Sequence, residues 1–186
     1  MALANGDPTG SWMIEYSFPY RESVINKSFS EYTRLLHKTL QIKTKSSNEK
    51  NMLLELSKKQ HDIVSRLSYD DSQYFKLQVW QEGIARYVEY KLALIASKDY
   101  QTTTGFDSLT DVISFNKAAD EILDNMMLVL PRMTLSEQKR LTFYYVGFAE
   151  GLLLDRVAPD WKRDYFDSIF NLGNLLFPTP SLANLK

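Results

Sequence analysis

Between residues 72 and 97 the chain is apolar or aromatic on nearly every side, through Tyr74, Phe75, Leu77, Val79, Trp80, Ile84, Tyr87, Val88, Leu92, Leu94 and Ile95. A helix of that composition has to be surrounded by other elements, so it predicts the middle of a bundle. The flanking segments carry the narrower stripes that would pack around it. Residues 21–43 place Ile25, Phe29, Tyr32, Leu36 and Leu40 at helical spacing. After a polar loop over 43–48, a second stripe runs through Leu53, Leu56, Ile63, Val64 and Leu67. Tyr69-Asp70-Asp71-Ser72 is expected to close that helix and cap the central one. Beyond a loop at 98–106, a fourth helix is expected over 108–128, stopped by Pro131. Thr134-Leu135-Ser136-Glu137 fits a capping box, opening a fifth helix to about Val157. A short sixth helix follows Pro159. The expectation is an all-α single domain over 1–186, an irregular bundle of five to six helices. Residues 1–19 read as an irregular arm and 170–186 as an extended tail.

Composition narrows the function classes. The 7 Gly and 6 Pro leave room for long helices and disfavour a turn-rich β-sandwich. The 22 basic and 23 acidic residues nearly cancel and alternate along the chain, which removes the electrostatic footprint of a nucleic-acid binder. No apolar run reaches the roughly 20 residues that span a bilayer, so no membrane association is expected. The first residues lack the basic and apolar stretches of a signal peptide, and the chain is expected to be cytoplasmic. With 0 Cys, disulfides, thiol catalysis and thiolate-bound metals are excluded.

Glu82 is the awkward residue of the central helix. A carboxylate there is costly to bury unless it is paired or binds a metal. The local solution is an ion pair with Arg86, four residues on. The run Trp80-Gln81-Glu82-Gly83-Ile84-Ala85-Arg86-Tyr87-Val88-Glu89 also resembles the W-x-x-E-G-x-A-x-Y-x-E stretch of gluzincin-type zinc metallopeptidases, with Trp80 one residue closer to the Glu. Later, Tyr144-Tyr145-Val146-Gly147-Phe148-Ala149-Glu150-Gly151-Leu152-Leu153-Leu154-Asp155 is similar to that family's Y-x-x-G-x-x-x-x-L-L-L-D helix. The resemblance implies that Glu82 holds the place of the third zinc ligand. It implies that Tyr144 holds the place of a tyrosine that stabilises the oxyanion of the tetrahedral intermediate. Arg86, Glu89 and Tyr145 are the further cleft candidates. Asp155, beside Arg156 and just before Pro159, reads as a helix-end ion pair with its neighbour.

The same resemblance requires HExxH, two histidines facing one metal with a glutamate base between them. This chain holds only His37 and His61. The nearest approach, His61-Asp62-Ile63-Val64-Ser65, puts Asp where the base should be and Ser where the second ligand should be. His61 reads as a surface or inter-helix residue and His37 as a helix-flank residue. No cofactor is therefore expected for this chain alone, and zinc only if the missing histidines come from elsewhere. The chain then reads as a portion of a larger metallopeptidase-like protein, or as a relative that kept the scaffold and lost the metal. The alternative is a helical interaction module without metal-site ancestry, binding a protein partner or a second copy of itself through its aromatics.

Overall fold

In the computed structural model the described residues are 16–42, 46–170 and 172–177. They are 77% helical and contain no strand, so the fold is all-α. Helix α1 (Ser23–Gln41) buries Ile25, Phe29, Tyr32, Leu36 and Leu40, the stripe read from the sequence. Helix α2 (Ser47–Arg66) packs along it. Its first turn is closed by Ser46, whose hydroxyl accepts from the Glu49 amide at 3.1 Å. Helix α3 (Tyr69–Gln78) starts three residues earlier than expected because Ser68, rather than Ser72, caps it, accepting from the Asp71 amide at 3.1 Å.

The expected central helix is continuous from α3 into α4 (Ile84–Asp99), but the join is a π-helical turn over Val79–Gly83. That helix is central only as far as Tyr87. Tyr74, Phe75, Leu77 and Val79 are buried, whereas Val88, Leu92 and Ile95 are exposed. The aromatic residues of α3 meet Phe29 of α1 and Phe143 of the last long helix, with Phe29 and Phe75 edge-to-face at 5.2 Å. Phe18, from the segment before α1, plugs this cluster, edge-on to Phe143 at 5.3 Å. Residues 16–19 have no regular structure, as expected of the arm, yet Phe18 belongs to the core and Tyr16 packs against it; residues 1–15 lie outside the described residues.

Three expected boundaries move. Helix α5 (Phe115–Val129) begins seven residues later than the sequence suggested, capped by Ser114 on the Lys117 amide at 3.2 Å, and a one-turn helix, Thr104–Asp107, interrupts the loop before it. The fifth expected helix is two pieces, Leu135–Gln138 and α6 (Leu141–Val157), broken at Lys139 with φ of 49°. The reciprocal capping box does not form. The side chain of Asn26 in α1 accepts instead from the Leu135 and Ser136 amides at 2.8 and 3.3 Å, while Gln138 takes the Thr134 amide at 2.8 Å. A cap from a distant helix satisfies the same orphan donors and pins that turn to α1. The sixth helix shrinks to Trp161–Asp164. In the expected extended tail, Leu172–Leu176 is helical, with Leu172 and Leu176 buried; residues 171 and 178–186 lie outside the described residues.

Candidate functional site

The crossing of the π-helical turn with α6 builds the site. Gly83 and Gly147 meet backbone to backbone: a Cβ on Gly83 would fall 2.5 Å from the Gly147 Cα, and one on Gly147 would fall 2.4 Å from the Val79 carbonyl oxygen. Only glycine permits that approach at both positions. Glu82 precedes one glycine by a single residue and Tyr144 precedes the other by three, so the crossing sets them side by side. Glu82, Arg86, Glu89, Tyr144 and Tyr145 all line one open cleft of about 430 Å³, walled also by Ala85 and Leu141.

Within the cleft the bonding departs from the sequence expectation. Arg86 pairs with Glu89, not with Glu82. On a regular helix both partners are in reach, and here the pair one turn downstream forms. Glu82 is half-buried and shares this cleft with Tyr144, close enough for its carboxylate to act on the phenol. Burial raises that phenol above its ordinary value, the Glu82 carboxylate adds to the effect, and Arg140 opposes it. Tyr145 faces α5, its hydroxyl accepting from Asn125 at 3.0 Å. Trp80 turns away and stacks on Tyr165 at 4.9 Å between ring centres.

A zinc site cannot be completed from these donors. Among the described residues, no group of three or more His, Cys, Asp or Glu is placed to hold a metal ion. His61 is exposed on α2, and His37 lies near Gln41 on α1; neither borders the cleft. The residues that follow His61 are engaged within α2 and with α1. Asp62 is bridged by Arg66 at 2.9 Å and accepts from Ser28, and the Ser65 hydroxyl bonds back to the Asp62 carbonyl.

Asp155 holds a different network from the one expected. Its carboxylate accepts from Tyr87 at 2.7 Å, Lys162 at 2.7 Å and Trp161 at 3.2 Å, with Lys91 at 3.2 Å. Burial alone would raise its pKa, but these donors outweigh burial and hold it at about 2. Arg156, its expected partner, instead donates to the carbonyls of Thr39, Leu40 and Ile42, closing the C-terminus of α1. Both residues are fasteners between elements.

One buried group lies outside the sequence expectations. Glu150 is fully buried on α6; its Oε1 accepts from Tyr32 at 2.6 Å and Gln60 at 3.1 Å. Burial pushes its carboxyl up to about 7, with the bonds from Tyr32 and Gln60 acting against that rise. The sequence does carry a signal for it: a lone carboxylate inside Phe148-Ala149-Glu150-Gly151-Leu152 poses the same desolvation problem as Glu82.

No helix among the described residues is long and apolar enough to cross a membrane. Compared with known proteins, the chain matches no family model, no curated protein and no solved structure.

Proposed function

We propose that this chain is an incomplete or non-catalytic metallopeptidase-like helical domain that keeps the third-ligand glutamate and oxyanion-tyrosine positions and lacks HExxH. The observation that carries the reading is the placement of Glu82 and Tyr144, distant in sequence, against each other in one cleft. The two motif helices supply the facing residues, and the two motif glycines supply the crossing that brings them together. A cytoplasmic setting is in keeping with a chain that carries no cysteine. The donor set does not fit a complete zinc site, so no peptidase chemistry is assigned to this chain by itself.

Metal analysis of the purified protein after zinc loading and desalting tests the proposal. Substoichiometric metal is expected, in wild type and Glu82→Ala alike; one equivalent of zinc that Glu82→Ala loses would overturn the non-catalytic half. For the ancestry half, the chain would be joined to any HExxH-bearing segment encoded beside it. Zinc retention that ignores Glu82→Ala would remove Glu82 from the ligand role.

One observation favours the alternative, an interaction module that pairs with a second copy. The exposed half of α4 and the loop after it form an apolar groove of about 580 Å³ lined by Leu92, Ile95, Tyr100, Phe106 and Phe115. Light scattering decides: a dimer that Leu92→Glu converts to monomer would favour this reading over the first.

A further inference from the structure

Glu150 borders a second, smaller space that shares no lining residue with the Glu82 cleft, so the chemistry of that space is independent of the metallopeptidase reading. The cavity measures about 40 Å³ and is walled by Gln60, Phe75, Lys76, Glu150, Phe170 and Gly173 among others. A bound water needs roughly 10–15 Å³ of such space, so there is room for a water-sized polar group and one companion.

Its chemistry is one-sided. Glu150 Oε1 is occupied by Tyr32 and Gln60, but Oε2, equally buried, meets no donor among the described residues. Gln60 is fixed in orientation because its Nε2 donates both to Tyr32 and to Glu150, at 3.3 and 3.1 Å. Its other end, Oε1, therefore lies against Gly173, where a Cβ would come within 2.3 Å of it. The cavity thus offers a buried carboxylate oxygen and an amide oxygen, with the ring of Phe75 alongside. Leaving the buried carboxylate oxygen without a donor is costly, and more so when it is charged. Tyr32 from α1 and Gln60 from α2 bond Glu150, and Lys76 from α3 and Asn174 from the turn at 172–176 line the cavity that Glu150 borders. Lys76 is the one cation among these residues, and it makes no ion pair with Glu150.

We propose that this cavity is a binding site for an ammonium group, held by Glu150 Oε2 and Gln60 Oε1. An ammonium is water-sized, donates in several directions and carries the charge that the buried carboxylate lacks. Two sources share this chemistry: a free ammonium ion, or the Lys76 side chain swinging inward from the cavity wall. Burial holds the Glu150 carboxyl near neutrality, so the site takes its ligand on the alkaline side of that titration.

Thermal unfolding of the full chain at about pH 8, in ammonium chloride against sodium chloride at equal ionic strength, tests it. If the ion is free, the wild-type midpoint rises with the logarithm of ammonium concentration and not with sodium. If Lys76 supplies the group, Lys76→Met lowers the midpoint and ammonium, but not sodium, restores it. In both cases Glu150→Gln abolishes the ammonium preference, and at about pH 5 the preference shrinks. Gly173→Ala, which displaces the Gln60 amide and leaves Glu150 in place, should lose most of it, and serves if Glu150→Gln fails to fold. No preference for ammonium in either wild type or Lys76→Met overturns the proposal, as does a preference that survives Glu150→Gln or is undiminished in Gly173→Ala.

Discussion

Glu82 and Glu150 lie on the two helices that meet at Gly83 and Gly147, each within three residues of the crossing, yet their surroundings are opposed. Glu82 opens onto a cleft with a tyrosine beside it and two further charged side chains along its wall. Glu150 is buried, with one oxygen held by two donors and the other without a donor, beside a small cavity that the residue borders. In the first, water screens the charge and the residue is free to take part in binding. In the second, the fold itself is committed to the charge state of a single carboxyl. Resemblance to known motifs singles out the exposed carboxylate, while desolvation cost marks the buried one as the more consequential for stability.

The contrast can be broken first at the crossing. Gly147→Val puts branched carbons where the Val79 carbonyl lies at 2.4 Å, and both sites depend on that contact. A loss of about 3 kcal/mol or more is expected in denaturant unfolding; a variant of wild-type stability would mean that the helices are not locked there. The pH profile comes next. The Glu150 carboxyl rises from 4.5 unfolded to about 7 folded, so its contribution is full below pH 4.5 and is lost as pH climbs toward 7. The fall is on the order of 2–3 kcal/mol in low-ammonium buffer, and Glu150→Gln should flatten it. Asp155 has the opposite sign: held at about 2 against 3.8, it supports the fold above pH 3.8 and withdraws that support as pH drops through 2. Tyr32→Phe removes the 2.6 Å bond to Glu150 and should cost about 1–2 kcal/mol. That cost should grow above pH 7, where the acceptor is ionised. The smallest effect belongs to the open cleft. Glu82→Gln should stay within about 0.5 kcal/mol of wild type, and a larger loss would make Glu82 a structural carboxylate like its counterpart.

The long helices were legible because burial follows period. The stripe of α1 and the apolar face of α3 are set by which side chains leave water, and that pattern is local in sequence. What stayed hidden was settled by distant partners. The break at Lys139 could not be read from a capping-box pattern, since the Leu135 and Ser136 amides of that turn go to Asn26, over a hundred residues away in α1, and the Thr134 amide to Gln138. Arg156 stood beside Asp155 and had every local reason to pair with it, yet the carbonyls at the end of α1 claimed it. The late start of α5 has another cause: Ser108, Thr110, Asp111 and Ser114 are all good cap residues, so local chemistry alone does not choose among them. At the candidate site, the residues of the cleft were legible and their pairing was not, since Arg86 had acceptors on both sides along one helix. Glu150 differs from these cases, because one carboxylate inside the otherwise uncharged run from Leu141 to Leu154 is itself the signal and no distant partner hides it.

The pair of glycines has a consequence for how this molecule can change. Because the helices touch through backbone atoms at Gly83 and Gly147, sliding either one by a residue would drive a side chain into that contact, so the pair admits a single register. The spacing of the cleft walls is then fixed by main chain, and the side chains that line it hang from a frame they do not support. Glu82, Arg86, Glu89 and Tyr144 can be exchanged for other chemistries without moving the frame, whereas a single methyl group at either glycine would move all of them at once.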